Sequence, residues 1–377
     1  MNNDEIVLHL SLIDGIGPST VLQLIKNKPW DIDLIDLYGM VPADVANIFG
    51  ISLNKARAIV SGLADMSRID CELELIARHR VSWTTVFNTR YPDLLKHIHL
   101  PPVILYWQGV LRADCARNLA IVGSRNANYY GISIVESFVP SLVNMGWSVV
   151  SGGALGADAA AHRVAMNSGG YTIAVFGSGL LNPYPVRNKR LFEDILDKQG
   201  ALLSFFPLTT GVDAGNFPAR NRVIAGMSVG CLVVQAADKS GALITARYAL
   251  DAGRELFAVP GPIDDPLSAG CHELIRQGAK LVGSVGDIVE EFGQEVCRKP
   301  QQQQISWCED AVHGAGSFKA EGHKATIMRC CVKPCCVDEL ADQTGLAIHD
   351  LYTLLFELEL DGSVCQQTNG TWSLRMK

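Results

Sequence analysis

In the sixteen residues GNFPARNRVIAGMSVG, 215–230, Arg220 and Arg222 flank Asn221 just after a Gly-Asn-Phe-Pro turn. An apolar run from Val223 to Met227 comes next, as in a helix that enters a core. Cations are disfavoured at the first turn of a helix, where the macrodipole is positive and prefers anions. A phosphate would resolve the conflict by sitting between the two guanidinium groups and the free backbone N–H groups. Other stretches carry donors of the same kind: Gly123-Ser124-Arg125, the pair Gly152-Gly153 in SGGALG, Gly177-Ser178-Gly179, and Lys239-Ser240-Gly241. Glycine lets backbone N–H groups approach an anion closely, and serine hydroxyls add donors. The chemistry this set supports is phosphate binding.

These loops are far apart in sequence and meet only if a parallel sheet gathers them at one edge. From 115 to 293 the chain has the matching pattern. Short apolar runs at Leu119–Val122, Trp147–Val150, Thr172–Phe176, Ala201–Phe205, Cys231–Gln235, Leu256–Val259 and Lys280–Val282 read as buried strands, most of them separated by helical patterns. The expected fold class is α/β: a Rossmann-like doubly wound parallel sheet, with a small N-terminal helical domain over 1–65 and a C-terminal winged-helix domain over 325–377. Residues 66–112 read as a connecting stretch with one short strand, Val103 to Trp107, packed on the sheet domain, so the extended Rossmann-like domain runs over 66–293 with its core at 115–293. Residues 294–324 are Gln-rich and aperiodic, the pattern of a flexible linker. The wing is expected around Asn369-Gly370, a strong hairpin dipeptide.

With 377 residues, 48% hydrophobic and 19% charged, the chain can bury large cores. Its net charge of −7 argues against polyanion binding over the whole surface and leaves room for a focal basic site. The acidic start, Met1-Asn2-Asn3-Asp4-Glu5, is followed by no long apolar run, so the reading is a cytoplasmic protein without a membrane partner. Asp158 and His162 share a helix face at i,i+4 but read as structural hydrogen-bonding groups. Cys330, Cys331, Cys335 and Cys336 in RCCVKPCC lack the paired two-residue gaps of zinc ribbons, so they read as small core residues and no metal is expected.

Taken together, IVGSRNANYYG, VVSGGALGADAAAH, AVFGSGLLNPYP, GNFPARNRVIAGMS, KSGALITARYALDAGRELFAVPG and SAGCHELIRQGAKLV resemble the DNA-processing protein A family, also called Smf, over about residues 115 to 290. The N-terminal helices resemble that family's sterile-alpha-motif-like or helix-hairpin-helix domain, and 325–377 its winged helix. The resemblance implies a non-enzymatic, cofactor-free protein that binds single-stranded DNA without strong sequence preference and forms a homodimer through the Rossmann-like domain. It further implies loading of RecA recombinase in natural transformation, with single-stranded DNA-binding protein as a further partner. Carried over by motif, Arg125, Arg220 and Arg222 contact phosphates, Phe217 stacks on a base, and Lys239 assists. The hairpin segment DGIGPS departs from the pattern by placing Pro18 and Ser19 where a basic residue would meet DNA, which points that domain toward protein contact or support. The competing class is an enzyme resembling the lysine decarboxylase-like phosphoribohydrolases, whose Pro-Gly-Gly-x-Gly-Thr loop and Glu are both missing from AADKSGALITA.

Overall fold

The short apolar runs become strands because each is too short for a helix and is covered on both faces. In the computed structural model of the chain, which describes residues 1–112 and 116–293, then 320–331 and shorter stretches up to 374, nine strands form one sheet. They are β1 (Ser82–Thr85), β2 (Ile104–Gly109), β3 (Asn118–Val122), β4 (Ser148–Ser151), β5 (Thr172–Val175), β6 (Ala201–Ser204), β7 (Gly230–Val233), β8 (Glu255–Ala258) and β9 (Lys280–Leu281). Their order is β1-β2-β6-β5-β4-β3-β7-β8-β9. From β6 to β9 every pairing is parallel, whereas β2 joins β6 and β1 joins β2 antiparallel. The seven strands read between 115 and 293 are β3 to β9, and the one read at Val103 to Trp107 is β2, each placed within two residues at either end. Successive strands leave β3 in one direction through β4, β5 and β6, and in the other through β7, β8 and β9. The switch point, where a doubly wound sheet opens a crevice, therefore lies at the carboxyl ends of β3 and β7.

The N-terminal end departs from the expectation. Helices Asn3–Ser11, Pro18–Lys26, Pro42–Phe49 and Leu53–Leu63 are joined by a fifth, Ser67–Arg78, and by β1, both inside the stretch read as a connection. Helix Ser67–Arg78 is hard to see in the sequence because only Ile69, Glu72 and Ile76 are buried along it, too narrow a stripe to stand out among its charges. These helices share one continuous apolar core with the sheet. Asp4 accepts hydrogen bonds from the Thr85 hydroxyl and, at 3.1 Å, from the Asn88 amide. Buried Glu72 accepts from Leu208 N at 2.9 Å, and burial raises its pKa. The chain thus divides into two compact units, Met1–Gln301 and Gln302–Lys377, with no boundary near residue 65.

In the second unit, helices Ala320–Cys330 and Val337–Thr344 precede two antiparallel strands, β10 (Val364–Gln366) and β11 (Trp372–Leu374). Ile327, Cys331, Cys335, Leu340, Leu355 and Trp372 are among its buried residues. Cys331 and Cys335 are core residues; Cys336, the Asn369-Gly370 turn and most of the 294–324 segment lie outside the described residues.

The expected structural roles of Asp158 and His162 are visible on helix Ala157–Asn167, though the two groups do not bond to each other. Fully buried His162 places Nδ1 2.7 Å from the Thr172 hydroxyl, which itself donates to Val149 O at 2.9 Å. Nδ1 is therefore the protonated nitrogen. Burial, together with the charges of Arg220 and Arg163, lowers the pKa of His162 to about 3. Because an unfolded histidine titrates near 6.5, below that pH the unfolded chain takes a proton that the folded one refuses, and stability falls as pH drops from about 6.5 toward about 3. Thermal melts between pH 7 and 4.5 should show a steeper acid loss for the parent than for His162→Gln; parallel curves would contradict this.

Candidate nucleic-acid interface

Helix Asn216–Gly226 begins at Asn216, so Arg220 sits one turn inside it and faces the sheet. There its Nη1 donates to Gly152 O at 2.5 Å and to Val175 O at 2.6 Å, while Nε donates to the Asn221 side chain at 3.1 Å. Only 5% of Arg220 is exposed. Glycine at 152 leaves room for this contact, because a Cβ there would lie 2.6 Å from the guanidinium and displace it. The opposing charge is Asp158, which accepts from Gly152 N at 3.1 Å and Ala154 N at 3.4 Å. Burial raises the Asp158 carboxyl above its ordinary range, against the pull of Arg220, and lowers Arg220 to about 10. The conflict read at the helix start is thus met by strand-end carbonyls and an internal carboxylate.

Two residues along a helix point about 200° apart, and this separates the arginine pair. Arg222 is half-buried on another face, within electrostatic range of Tyr248 and Tyr91, and lines no part of the switch-point crevice. The expected two-arginine clamp does not form. Asn221, between them, donates to Gly241 O at 3.2 Å and braces the next helix against this one.

Phe217 stands at the centre of what does assemble. The Arg125 guanidinium lies 5.4 Å from its ring centroid and that of Arg220 5.6 Å, within cation–π range. The Tyr184 ring, whose residue is 41% exposed, lies 5.9 Å away. Gly177 packs beneath Phe217, where a Cβ would come within 2.9 Å of the ring. Beside this cluster a cleft of 570 Å³ opens at the switch point. Gly123, Ser124, Arg125 and Asn126 line it after β3, Phe217, Arg220 and Asn221 from the helix, and Lys239, Ser240 and Gly241 after β7. Ser240 caps helix Gly241–Asp251 by accepting from Ala242 N at 3.2 Å, and Ser124 accepts from Asn126 N at 3.1 Å. Arg125 and Lys239 are the exposed cations of the lining. Gly152 and Tyr184 line a smaller recess on the other side of Phe217.

Three expected donors fall behind this surface. Gly153 packs against Phe192, Gly177 lies under Phe217, and Ser178 donates to Asn182 O at 2.6 Å. Their sequence signal is real, but it marks close packing rather than open N–H groups. Conversely, Tyr184 and Asn126 escape a reading by motif; an aromatic between two prolines in NPYP is the signal that could have found the first. The loop carrying Arg125 is seated on Gly156, which has φ +75° and where a Cβ would collide with Ser124 O. Gly156→Ala is therefore expected to lower the melting temperature by several degrees and to displace Arg125. A variant that melts like the parent would contradict it.

A doubly wound α/β sheet with exposed cations and paired aromatics at its switch point defines a Rossmann-like protein with a crevice suited to an anion. The family model described as DNA recombination-mediator protein A matches residues 82–293, and that of the DprA winged helix domain matches 332–370. The chain is 36% identical to Protein Smf of Escherichia coli over 346 residues, 89% of this chain and 88% of that one. It is 42% identical to the DNA processing protein DprA of Bacillus subtilis over 208 residues, 55% of this chain and 70% of that one. Its fold superposes on the X-ray structure of DprA from Streptococcus pneumoniae with a TM-score of 0.66 at 32% identity, covering 78% and 99% of the two chains. A second superposition, TM-score 0.51 at 27% identity over 57% and 97%, is with DprA from Helicobacter pylori, a structure described for its single-stranded DNA binding mode. The chain belongs to the DNA recombination-mediator protein A family, with a Rossmann-like domain and a winged-helix domain. Among the described residues no helix is long and apolar enough to cross a membrane.

Proposed function

We propose that the chain binds single-stranded DNA in the switch-point cleft without strong sequence preference, and as a homodimer loads RecA recombinase onto that strand. The observation that carries the binding is the exposed Arg125 guanidinium beside the Phe217 and Tyr184 rings, with Lys239 across the cleft. A backbone track of cations with aromatic faces is what sequence-tolerant single-strand binding requires. The binding mode named for the Helicobacter pylori relative and the recombination-mediator description of the family support the same reading. Binding is favoured over hydrolysis because Asp158, the carboxylate in the described lining, already accepts from Gly152 N and Ala154 N and lies in the field of Arg220.

Titration with oligo-dT and with duplex of equal length, at several salt concentrations, tests the first part. Affinity should be higher for the single strand and fall steeply with salt; equal affinity at matched salt would count against the cleft. Release of free base from nucleoside monophosphates would instead point to an enzyme. RecA filament formation on DNA covered with single-stranded DNA-binding protein, measured with and without the chain, tests the loading; no acceleration would remove it.

A further inference from the structure

A carboxylate is costly to bury, and Glu72, on helix Ser67–Arg78, is only 5% exposed. Its Oε1 accepts from Leu208 N at 2.9 Å, 136 residues away in the chain. Tyr106 of β2 is buried beside it, and burial, then the charge of Glu72, raise the pKa of that phenol. An apolar side chain of the same size would pack here without the cost of a buried charge. It could not accept the Leu208 N–H, so the place of Leu208 in the fold shows what the carboxylate secures.

Leu208 lies in the loop after β6, and that loop holds both aromatic rings of the cleft. Its carbonyls receive the loop after β5: Leu181 N donates to Leu208 O at 3.1 Å, Gly179 N to Thr210 O at 2.9 Å, and Asn182 Nδ2 to Thr209 O at 2.8 Å. The two backbones are so close that a Cβ at Gly179 would lie 2.2 Å from Leu208 O. Tyr184 follows two residues after Asn182, and beyond it Asn188 Nδ2 ties the far end of the same loop to Gly153 O at 2.9 Å. In the other direction the loop after β6 runs to Asp213, which accepts from Gly215 N at 2.7 Å and Asn216 N at 3.1 Å. It therefore ends on the helix turn that carries Phe217. The Tyr184 and Phe217 rings, 5.9 Å apart, meet across one scaffold, and Glu72 is the brace that the N-terminal helices give it.

We propose that Glu72 is a positioning residue for DNA binding: by holding Leu208 N it fixes the loop after β6, and through that loop it sets Tyr184 in its place beside Phe217. The proposal rests on the reading of the switch-point cleft as the DNA site. It gives the N-terminal helices a part in binding that needs no basic hairpin residue.

The test measures oligo-dT affinity and melting temperature for the full chain and for Glu72→Met, Glu72→Gln, Tyr184→Ala, Arg125→Ala and the double variant Glu72→Met with Tyr184→Ala. Glu72→Met keeps the volume and removes the acceptor, whereas Glu72→Gln keeps an oxygen for Leu208 N and removes only the charge. Glu72→Met should bind about fivefold more weakly than the parent, and Glu72→Gln within about twofold of it. In the Tyr184→Ala background Glu72→Met should cost less than about twofold, because its effect passes through that ring. A purely structural carboxylate would instead move the melting temperature and leave the affinity of the folded protein unchanged. That result overturns the proposal, as does an equal loss in both backgrounds, or Glu72→Gln binding as weakly as Glu72→Met. Glu72→Asp, too short to reach Leu208 N, replaces Glu72→Met if the latter does not fold; if neither folds, Glu72 holds the fold and not the cleft, and the proposal falls. If Arg125→Ala and Tyr184→Ala both bind like the parent, the cleft reading itself falls and the role of Glu72 with it. If Arg125→Ala loses affinity, the cleft stands and the Glu72 variants decide alone.

Discussion

Arg220→Ala is expected to destabilise the Met1–Gln301 unit by about 3–5 kcal/mol, the range for removing one partner of a buried charge pair. The variant leaves the buried Gly152 O and Val175 O without their donor and Asp158 without its neighbouring cation. Against a total of roughly 5–15 kcal/mol this is a large share, and the melting temperature should fall on the order of 10 °C. Arg220→Lys keeps the charge but cannot reproduce the planar fork, so it should lie between the two. Differential scanning calorimetry on the three proteins measures it. If Arg220→Ala melts with the parent yet loses DNA affinity, the arginine is a phosphate ligand and the internal assignment is wrong.

The opposite pattern is expected for Arg125→Ala. Its guanidinium is exposed and its nearest described partner is the face of Phe217, so the melting temperature should scarcely move. Oligo-dT affinity should fall about ten- to hundredfold, the equivalent of one charge-assisted contact of roughly 1.5–3 kcal/mol. The dependence of log K on log salt should become shallower by about 0.7, one phosphate's share for a single strand. Arg222→Ala, two residues from Arg220 but outside the cleft, should bind like the parent. Fluorescence anisotropy at three salt concentrations separates the three arginines, and a full-strength Arg125→Ala protein would move the site elsewhere.

The strands, their parallel order and the convergence of the 123, 152 and 239 loops are legible in the sequence because a buried parallel strand is a short apolar run and the edge it ends on follows from topology. Helix Ser67–Arg78 and β1 are not, because their sequences are mostly polar and their burial comes from neighbours remote in the chain.

The sequence by itself determined that phosphate-compatible groups and the arginines would lie along the carboxyl edge of one sheet. Residue type could not say which groups stay open to a ligand, since Arg, Gly and Ser serve equally well inside a protein. Tertiary packing made that choice. The 100° turn per residue of a helix sends Arg220 into the strand ends and Arg222 away from the cleft. The missing Cβ atoms of Gly152 and Gly177 are used up by Arg220 and Phe217. Arg125 and Lys239 remain at the surface because both sit in loops that leave the sheet, where among the described residues no ion pair holds them.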